Sequence, residues 1–371
     1  MSTAATPAMA ETPLVTDAPP RHRTALRIWL SAVAIMIVAM ILVGGATRLT
    51  DSGLSITEWQ PIVGIVPPLS DADWAQAFEA YKQIPEYTHV NPDMDLEGFK
   101  RIFWWEWAHR FLGRMIGFVF FLPFLAFWAA GYIPRPLMPR LLGLFALGGL
   151  QGAVGWYMVK SGLVDRVDVS QYRLAAHFGI AVLIFGYTLW LILSLSSKVR
   201  ERGPSKAPAW VAGILLGLVF LQLLLGALVA GIDAGFSFNT WPLMAGQFVP
   251  EGLLDQSPWI LNMFENPMTV QFDHRMVAYA LTLATILQAV WLWLTKRPPE
   301  MIGSALVLAV ATMMQAVIGV WTLLLSVPLP LGLAHQAGAI LIFGFAVFHF
   351  WLTVKGVPIE EPGRDQRLAS A

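Results

Sequence analysis

Eight apolar stretches, each about 20 residues or longer, limit what this chain can fold into. A helix of about 20 residues crosses the hydrocarbon core of a bilayer. The chain is 56% hydrophobic and only 13% charged, which is typical of membrane proteins. We therefore predict an all-α integral membrane protein with eight transmembrane helices. The predicted spans are Ile28–Ala46, Phe111–Ala130, Pro139–Val159, Tyr172–Leu195, Ala209–Gly231, Phe272–Leu294, Met301–Leu325 and Leu333–Val354.

The segments outside these spans are polar. Two long loops cover residues 47–104 and 232–270, and the first contains a predicted amphipathic helix over Asp71–Tyr81. The remaining polar segments are a disordered leader rich in Ala, Thr and Pro, a linker and a tail, at 1–27, 196–208 and 355–371.

Lysine and arginine predict the orientation of the spans. The leader, the tail and the short connections after even-numbered spans are basic, whereas residues 232–270 contain no Lys or Arg. By the positive-inside rule, both termini, the linker and the short connections face the cytoplasm of a bacterial inner membrane. The formal net charge is zero and there is no Cys. These two facts argue against nucleic-acid binding and exclude disulfides and thiolate ligands.

The chain contains an internal repeat whose parts keep the same order. The matched segments are 43–53 with 229–235, 106–110 with 271–275, 151–156 with 315–321, and 174–177 with 333–335. This pattern predicts two pseudo-symmetric four-helix bundles, residues 28–195 and 209–354, related by an axis along the membrane normal.

Four histidines occupy matched positions in the repeat: His109 and His177 in the first half, His274 and His335 in the second. The topology places all four near the outward ends of their spans. Facing helices of a bundle commonly hold a cofactor between them. Two imidazoles per half favour an axially ligated haem iron over zinc, which takes three or four ligands.

A single His near a helix end is more often a packing residue than a ligand, and the matched positions are what favour ligation. The other three histidines, His22, His89 and His349, are interpreted as structural or surface residues.

One position of the repeat differs between the halves. The residue three before the first matched histidine is Glu106 in the first half and Gln271 in the second. A carboxylate in one half only predicts a reaction site there and an electron-transfer or structural site in the other half. The alternative is that Glu106 only pairs with Arg110 or Arg114. Guanidinium groups also suit haem propionates, and the candidates for that role are Arg48, Arg110, Arg114 and Arg275.

Three segments, Glu106–Arg114, residues 44–55 and residues 236–244, resemble haem A synthases, and the similarity extends from about residue 25 to 355. The absence of Cys places the resemblance with the Cys-free branch of proteobacteria and mitochondria. It implies oxidation of the C8 methyl group of haem O to a formyl group, giving haem A for respiratory terminal oxidases.

The resemblance also implies residue roles and partners. His109 and His177 would bracket the substrate haem O, with Glu106 as the catalytic carboxylate. His274 and His335 would bracket a haem b cofactor. Haem O synthase, a farnesyltransferase, would supply the substrate from the lipid bilayer, and a further partner would exchange electrons. Association into homo-oligomers is left open.

Two other function classes fit part of the sequence. A di-haem cytochrome b-type quinol dehydrogenase, an electron-transfer protein, explains the four histidines equally well but not Glu106. A solute transporter explains the repeat, but neither half shows a span broken by Pro or Gly with polar residues at mid-depth.

Overall fold

The computed structural model describes residues 19–59, 63–165, 167–196, 199–200 and 206–358. Within these ranges the chain is almost entirely helical, and eight helices are long and apolar enough to cross a membrane. The eight-helix, multi-pass prediction is therefore confirmed. The helices are α1 (Pro20–Leu49), α2 (Asp71–Tyr81), α3 (Pro85–His89), α4 (Leu96–Ala129), α5 (Met138–Asp165), α6 (Gln171–Ser196), α7 (Lys206–Gly231), α8 (Asn262–Glu265), α9 (Pro267–Leu294), α10 (Pro299–Leu324) and α11 (Leu329–Lys355).

The first helix begins earlier than hydropathy predicts. It starts at Pro20, so the prediction of a disordered leader is wrong for its last eight residues; apart from Pro19, the rest of the leader lies outside the described residues. His22 stacks on Tyr132 with ring centroids 3.8 Å apart, and Leu26 is fully buried. These tertiary contacts stabilise a turn whose arginines lower its mean hydropathy.

The linker and the tail meet. Strand β1 (Val199–Arg200) pairs antiparallel with β2 (Val357–Pro358), and α7 already begins at Lys206. The predicted linker is thus helical in its last residues, and the predicted tail is described only as far as Pro358.

Helix α4 begins at Leu96, inside the segment predicted to be a loop. The carboxylate of Asp95 caps it by accepting a hydrogen bond from the Gly98 amide at 2.7 Å. Phe99 and Phe103 are buried and pack against aromatic rings of α2 at centroid distances of 4.9 to 6.4 Å. The loop predicted over residues 47–104 therefore ends before Leu96, and the helix is continuous through Glu106 and His109.

Helix contacts follow the two predicted halves. In the first, α1 contacts α4 and α6, and α5 contacts α6; in the second, α7 contacts α9 and α11, and α10 contacts both of those helices. Between the halves, α6 packs against α7 and α11, and α1 packs against α11. The pseudo-symmetry of the two bundles remains a prediction. Both long loops lie at one end of the helices, called the loop end below, where Arg48 of α1 pairs with Asp233 at 2.9 Å.

Candidate functional site

The second-half histidines face each other across the bundle. The rings of His274 on α9 and His335 on α11 have centroids 6.3 Å apart and an interplanar angle of 74°. Metal–imidazole bonds are about 2 Å long, so an iron held between two rings separates their centroids by roughly 6 Å. Among the residues that the structure describes, no three His, Cys, Asp or Glu side chains converge on a metal site. The pair therefore fits axial ligation of a haem iron.

Two glutamine amides orient these rings. Nε2 of Gln315 on α10 lies 3.0 Å from Nδ1 of His335 and donates to the His335 carbonyl oxygen at 2.6 Å. Nε2 of Gln222 on α7 lies 3.0 Å from Nδ1 of His274 and 3.3 Å from its Nε2. Metal-bound histidines are normally oriented through their second ring nitrogen. Nε2 of His335 is the ring nitrogen that the amide of Gln315 does not contact.

Glycines let the neighbouring helices approach the same two rings. A Cβ at Gly226 of α7 would lie 3.3 Å from Cε1 of His274, and one at Gly319 of α10 would lie 2.8 Å from Cε1 of His335. A larger residue at position 319 would displace the imidazole. The two glycines therefore allow α7 and α10 to pack closely against the observed positions of the imidazole rings.

The first-half histidines, His109 on α4 and His177 on α6, have a different environment. A Cβ at Gly155 of α5 would lie 2.9 Å from Cε1 of His177, but one at Gly44 of α1 would lie 3.1 Å from Nε2 of His109. Nε2 of Gln151 is 3.3 Å from Nε2 of His177, and Nδ1 of His177 is buried with no hydrogen-bond partner in the described part of the chain. A buried polar atom without a partner in the chain fits a site that receives a ligand.

This packing corrects one match of the repeat. Gly44 and Gly226 each lie beside the first histidine of their half. They keep the same spacing to Asp51 and Asp233, both of which have positive φ angles. The predicted match of residues 43–46 with 229–231 is therefore wrong, whereas the match of the two aspartates holds.

Glu106, one turn before His109, is only 2% exposed, and its carboxylate has three donors. Oε2 accepts hydrogen bonds from Ser55 Oγ at 2.8 Å and from the Ile56 amide at 2.6 Å. Oε1 pairs with Nη2 of Arg110 at 2.5 Å. Charge-assisted hydrogen bonds of this kind stabilise an ionised carboxylate. They also hold the first loop against α4. The Glu106–Arg110 contact that the alternative interpretation predicts is therefore present.

Gln271 repeats this arrangement in the second half without the charge. It is 2% exposed, its Nε2 donates to the Ala234 carbonyl at 2.7 Å, and its Oε1 accepts from Arg275 at 2.8 Å. The first half thus holds a carboxylate–guanidinium pair where the second half holds a guanidinium bound to a neutral amide.

Comparisons with known proteins decide the family. Residues 27–347 match the COX15-CtaA family, described as cytochrome oxidase assembly protein. The chain belongs to this family. Similar proteins named heme A synthase occur in Parvibaculum lavamentivorans (53% identical; 86% of this chain and 92% of the relative covered) and in Chelativorans sp. (51% identical; 93% and 95% covered). A third, from Rhizobium rhizogenes, is 50% identical, with 88% of this chain and 89% of the relative covered. The family resemblance predicted from the motifs is confirmed.

The arginines of this family member already have protein partners. Arg48 binds Asp51 at 2.7 Å and both carboxylate oxygens of Asp233 at 2.9 Å. Arg110 also donates to two carbonyls of the first loop, and Arg275 donates to two carbonyls of the second. These contacts anchor the loops to the helices. Propionate binding by these three arginines and by Arg114 stays a prediction.

Sequence analysis missed the residues that surround the imidazoles. Gln151 and Gly155, like Gln315 and Gly319, are four residues apart, so each pair lies on one helix face and contacts the second histidine of its half. The repeat had marked the glutamines without indicating a role. No sequence pattern pointed to Gln222.

A second buried carboxylate lies in the first loop, outside the membrane-spanning segments. Glu86 of α3 is 4% exposed and accepts a hydrogen bond from the Tyr81 hydroxyl at 2.9 Å. That hydroxyl in turn accepts one from Nδ2 of Asn91. Burial raises the pKa of Glu86 to about 7, and the nearby charge of Glu106 acts in the same direction.

This pKa predicts a pH-dependent stability. Between the ordinary value of 4.5 and about 7, the folded chain binds a proton that the unfolded chain has released, so stability falls as pH rises. Glu86→Gln removes that loss, on the order of 3 kcal/mol at most. We expect its thermal unfolding midpoint in detergent to exceed that of the wild type at about pH 8 and to match it near pH 4. The exposed Glu97→Gln control should show no such pH-dependent difference.

Proposed function

We propose that this protein is a haem A synthase that oxidises the C8 methyl group of haem O to a formyl group, giving haem A for respiratory terminal oxidases. One observation carries the proposal: the His274 and His335 rings face each other across the second half, His109 and His177 hold the matched positions in the first half, and Glu106 is a buried carboxylate where the second half has Gln271. The name of the similar proteins, heme A synthase, and the family description agree with this reading.

In this proposal the second half holds haem b between His274 and His335. The 6.3 Å separation of the ring centroids supports it. When bound, haem b supplies one-electron transfer. The protein fixes the planes of both imidazole rings. Gly226 and Gly319 allow α7 and α10 to pack directly against these rings.

The substrate haem O would lie between His109 and His177, beside Glu106. Both oxygens of Glu106 already accept hydrogen bonds. Three donors, one of them the guanidinium of Arg110, stabilise the ionised carboxylate, so a fixed negative charge is favoured over a general base. Such a charge stabilises positive charge that develops on the substrate as the methyl group is oxidised.

The two halves also differ in how they open towards lipid. Helices α9 and α10 pack along their length and share the Thr285–Thr312 hydrogen bond of 2.9 Å. Helices α4 and α5 touch at few positions, among them Phe121 against Phe145 with centroids 5.5 Å apart. Nearer the loop end, a Cβ at Gly148 would meet nothing within 4 Å. This gap supports the first half as the site of a substrate with a farnesyl tail.

Filling the gap should therefore impair the substrate selectively. Gly148 lies seven residues from Gly155, about 10 Å along the same helix face. Gly148→Leu would therefore place a side chain in the proposed path of the farnesyl tail. We expect haem A output to fall about tenfold or more, since a misplaced substrate loses at least that much, with haem B content unchanged. Gly143→Leu makes the same change on another face of α5, where a Cβ also meets nothing within 4 Å, and should keep normal output.

Orientation and partners complete the proposal. The basic leader, linker and tail support cytoplasmic termini in a bacterial inner membrane. The two sets of matched helix contacts support the pseudo-symmetric bundles. Haem O synthase remains the proposed donor of the substrate, and a further partner would exchange electrons with the protein.

Pigment analysis tests the function directly. The chain would be expressed in a bacterium that makes haem B and haem O but no haem A, and the extracted haems would be separated. Appearance of the formyl haem is the expected result. A cytochrome b-type quinol dehydrogenase would leave only haem B and haem O in the extract, and that outcome would reject the proposal.

A further inference from the structure

Helix α1 forms a wall between the two haem sites at Gly44 and Gly45. On one side, a Cβ at Gly44 would lie 3.1 Å from Nε2 and 3.3 Å from Cδ2 of His109. On the other side, a Cβ at Gly45 would overlap the amide oxygen of Gln336 and lie 2.6 Å from its Cδ. Two adjacent residues of α1 thus lie against side chains from different halves, Gly44 against His109 and Gly45 against Gln336.

Gln336 also holds this turn of α1 through a hydrogen bond. It directly follows His335 on α11, and its Nε2 donates to the Ile41 carbonyl oxygen at 3.0 Å. That carbonyl is the one to which the Gly45 amide bonds within an α-helix. Small residues let membrane helices approach closely enough for interhelical hydrogen bonds of this kind. The amide therefore fixes the backbone against which His109 rests.

The equivalent wall between α6 and α7 lacks this contact. Gly226 occupies the place of Gly44, and the same repeat spacing puts Ala227 and Phe178 in the places of Gly45 and Gln336. A methyl group would overlap such an amide, and a phenyl ring has no N–H to donate. The polar contact thus serves only the wall behind His109.

We propose that Gln336 is a positioning residue for His109, acting through the Gly44–Gly45 turn of α1, and that it couples the substrate site to the neighbouring haem b site. The identities of the two haems rest on the proposed function. Outer groups that orient a metal-bound histidine change metal affinity when they are removed. Here the outer group belongs to the other half of the chain, next to its own ligand His335. Its amide therefore links the backbone beside His109 to the helix that carries His335.

Gln336→Ala tests the coupling in a host that makes haem O and haem B. The purified protein is extracted, and each haem is quantified per polypeptide. We expect retained haem O to fall about tenfold, as for loss of an outer-shell partner, while haem B stays close to the wild-type level. The low-spin electron paramagnetic resonance signal of the first-half haem should also shift, because the plane of the His109 ring changes. A purely structural loss would lower both haems together.

A double-mutant cycle supplies the second measurement. Gly45→Ala drives a methyl group into the amide and should lose more haem O than Gln336→Ala. The combined variant Gly45→Ala/Gln336→Ala has room for the methyl group and should retain at least about threefold more haem O than Gly45→Ala. If Gln336→Ala does not accumulate, recovery in the combined variant decides the question.

The outcomes separate this inference from the proposed function. Additive losses in the cycle, unchanged haem O in Gln336→Ala, or a selective loss of haem B would overturn the coupling. A wild-type chain that makes no haem A but whose haem O content responds to these variants would overturn the function and leave the coupling standing.

Discussion

Glu106→Gln is expected to keep both haems bound and to stop haem A formation almost completely. The substitution preserves the size of the side chain and removes its negative charge. Loss of one preorganised electrostatic group at a reaction centre costs about 10²- to 10³-fold in rate. The measurement is haem A per polypeptide in a haem O-producing host, together with the retained haem O and haem B.

The contacts of Glu106 provide the matched control. An amide at position 106 can still accept from Arg110, but its NH₂ group would face the Ile56 amide, which would then lose its acceptor. Such a loss costs about 1–3 kcal/mol of stability. Ser55→Ala removes another donor of the same carboxylate and leaves the charge in place. We expect it to lower haem A output much less than Glu106→Gln does, because the charge and two of its three donors remain. Equal losses in both variants would assign Glu106 to anchoring the loop alone.

The spans were predictable because each depends only on local composition. Eight runs of sufficient length gave eight helices. The helix over Asp71–Tyr81 was predicted with its observed bounds. Ser70 accepts from the Asp73 amide, and the Asp73 side chain accepts from the Ser70 amide, so this start is marked in the sequence itself.

What sequence analysis missed depends on contacts distant along the chain. The first turns of α4 are stabilised because Phe99 and Phe103 pack against aromatic rings of α2. The polar residues around them lower the mean hydropathy of this segment, so it was predicted to be a loop. Ser55 and Ile56 meet Glu106 across about 50 residues. The repeat identified the four histidines, since duplicated positions stand out without knowledge of packing. It could not show that Nε2 of His109 rests against α1 while the His274 and His335 rings already face each other.

This difference between the halves underlies the second large effect, the expected loss of haem b in His335→Ala. In the proposed haem b site His335 is one of two ligands, so its removal should lower haem B per polypeptide by about tenfold or more, since even outer-shell changes cost 10- to 100-fold in metal affinity. Haem O should remain at the first site, and haem A output should fall with haem B. Reduced-minus-oxidised spectra and extracted haem content measure the change. Added imidazole should restore part of the spectrum, because it can occupy the vacated axial position.

His349 offers a control on the same helix. It is 1% exposed, with Nδ1 2.7 Å from Ser304 Oγ and Nε2 2.9 Å from the amide of Gln288. Because both ring nitrogens have protein partners, its interpretation as a structural residue fits. It lies 14 residues beyond His335, about 21 Å along the helix, too far to bind the same iron. His349→Gln keeps a polar side chain in the cluster and should leave haem B intact. Retention of haem B in His335→Ala, or its equal loss in His349→Gln, would show that His335 does not hold the iron.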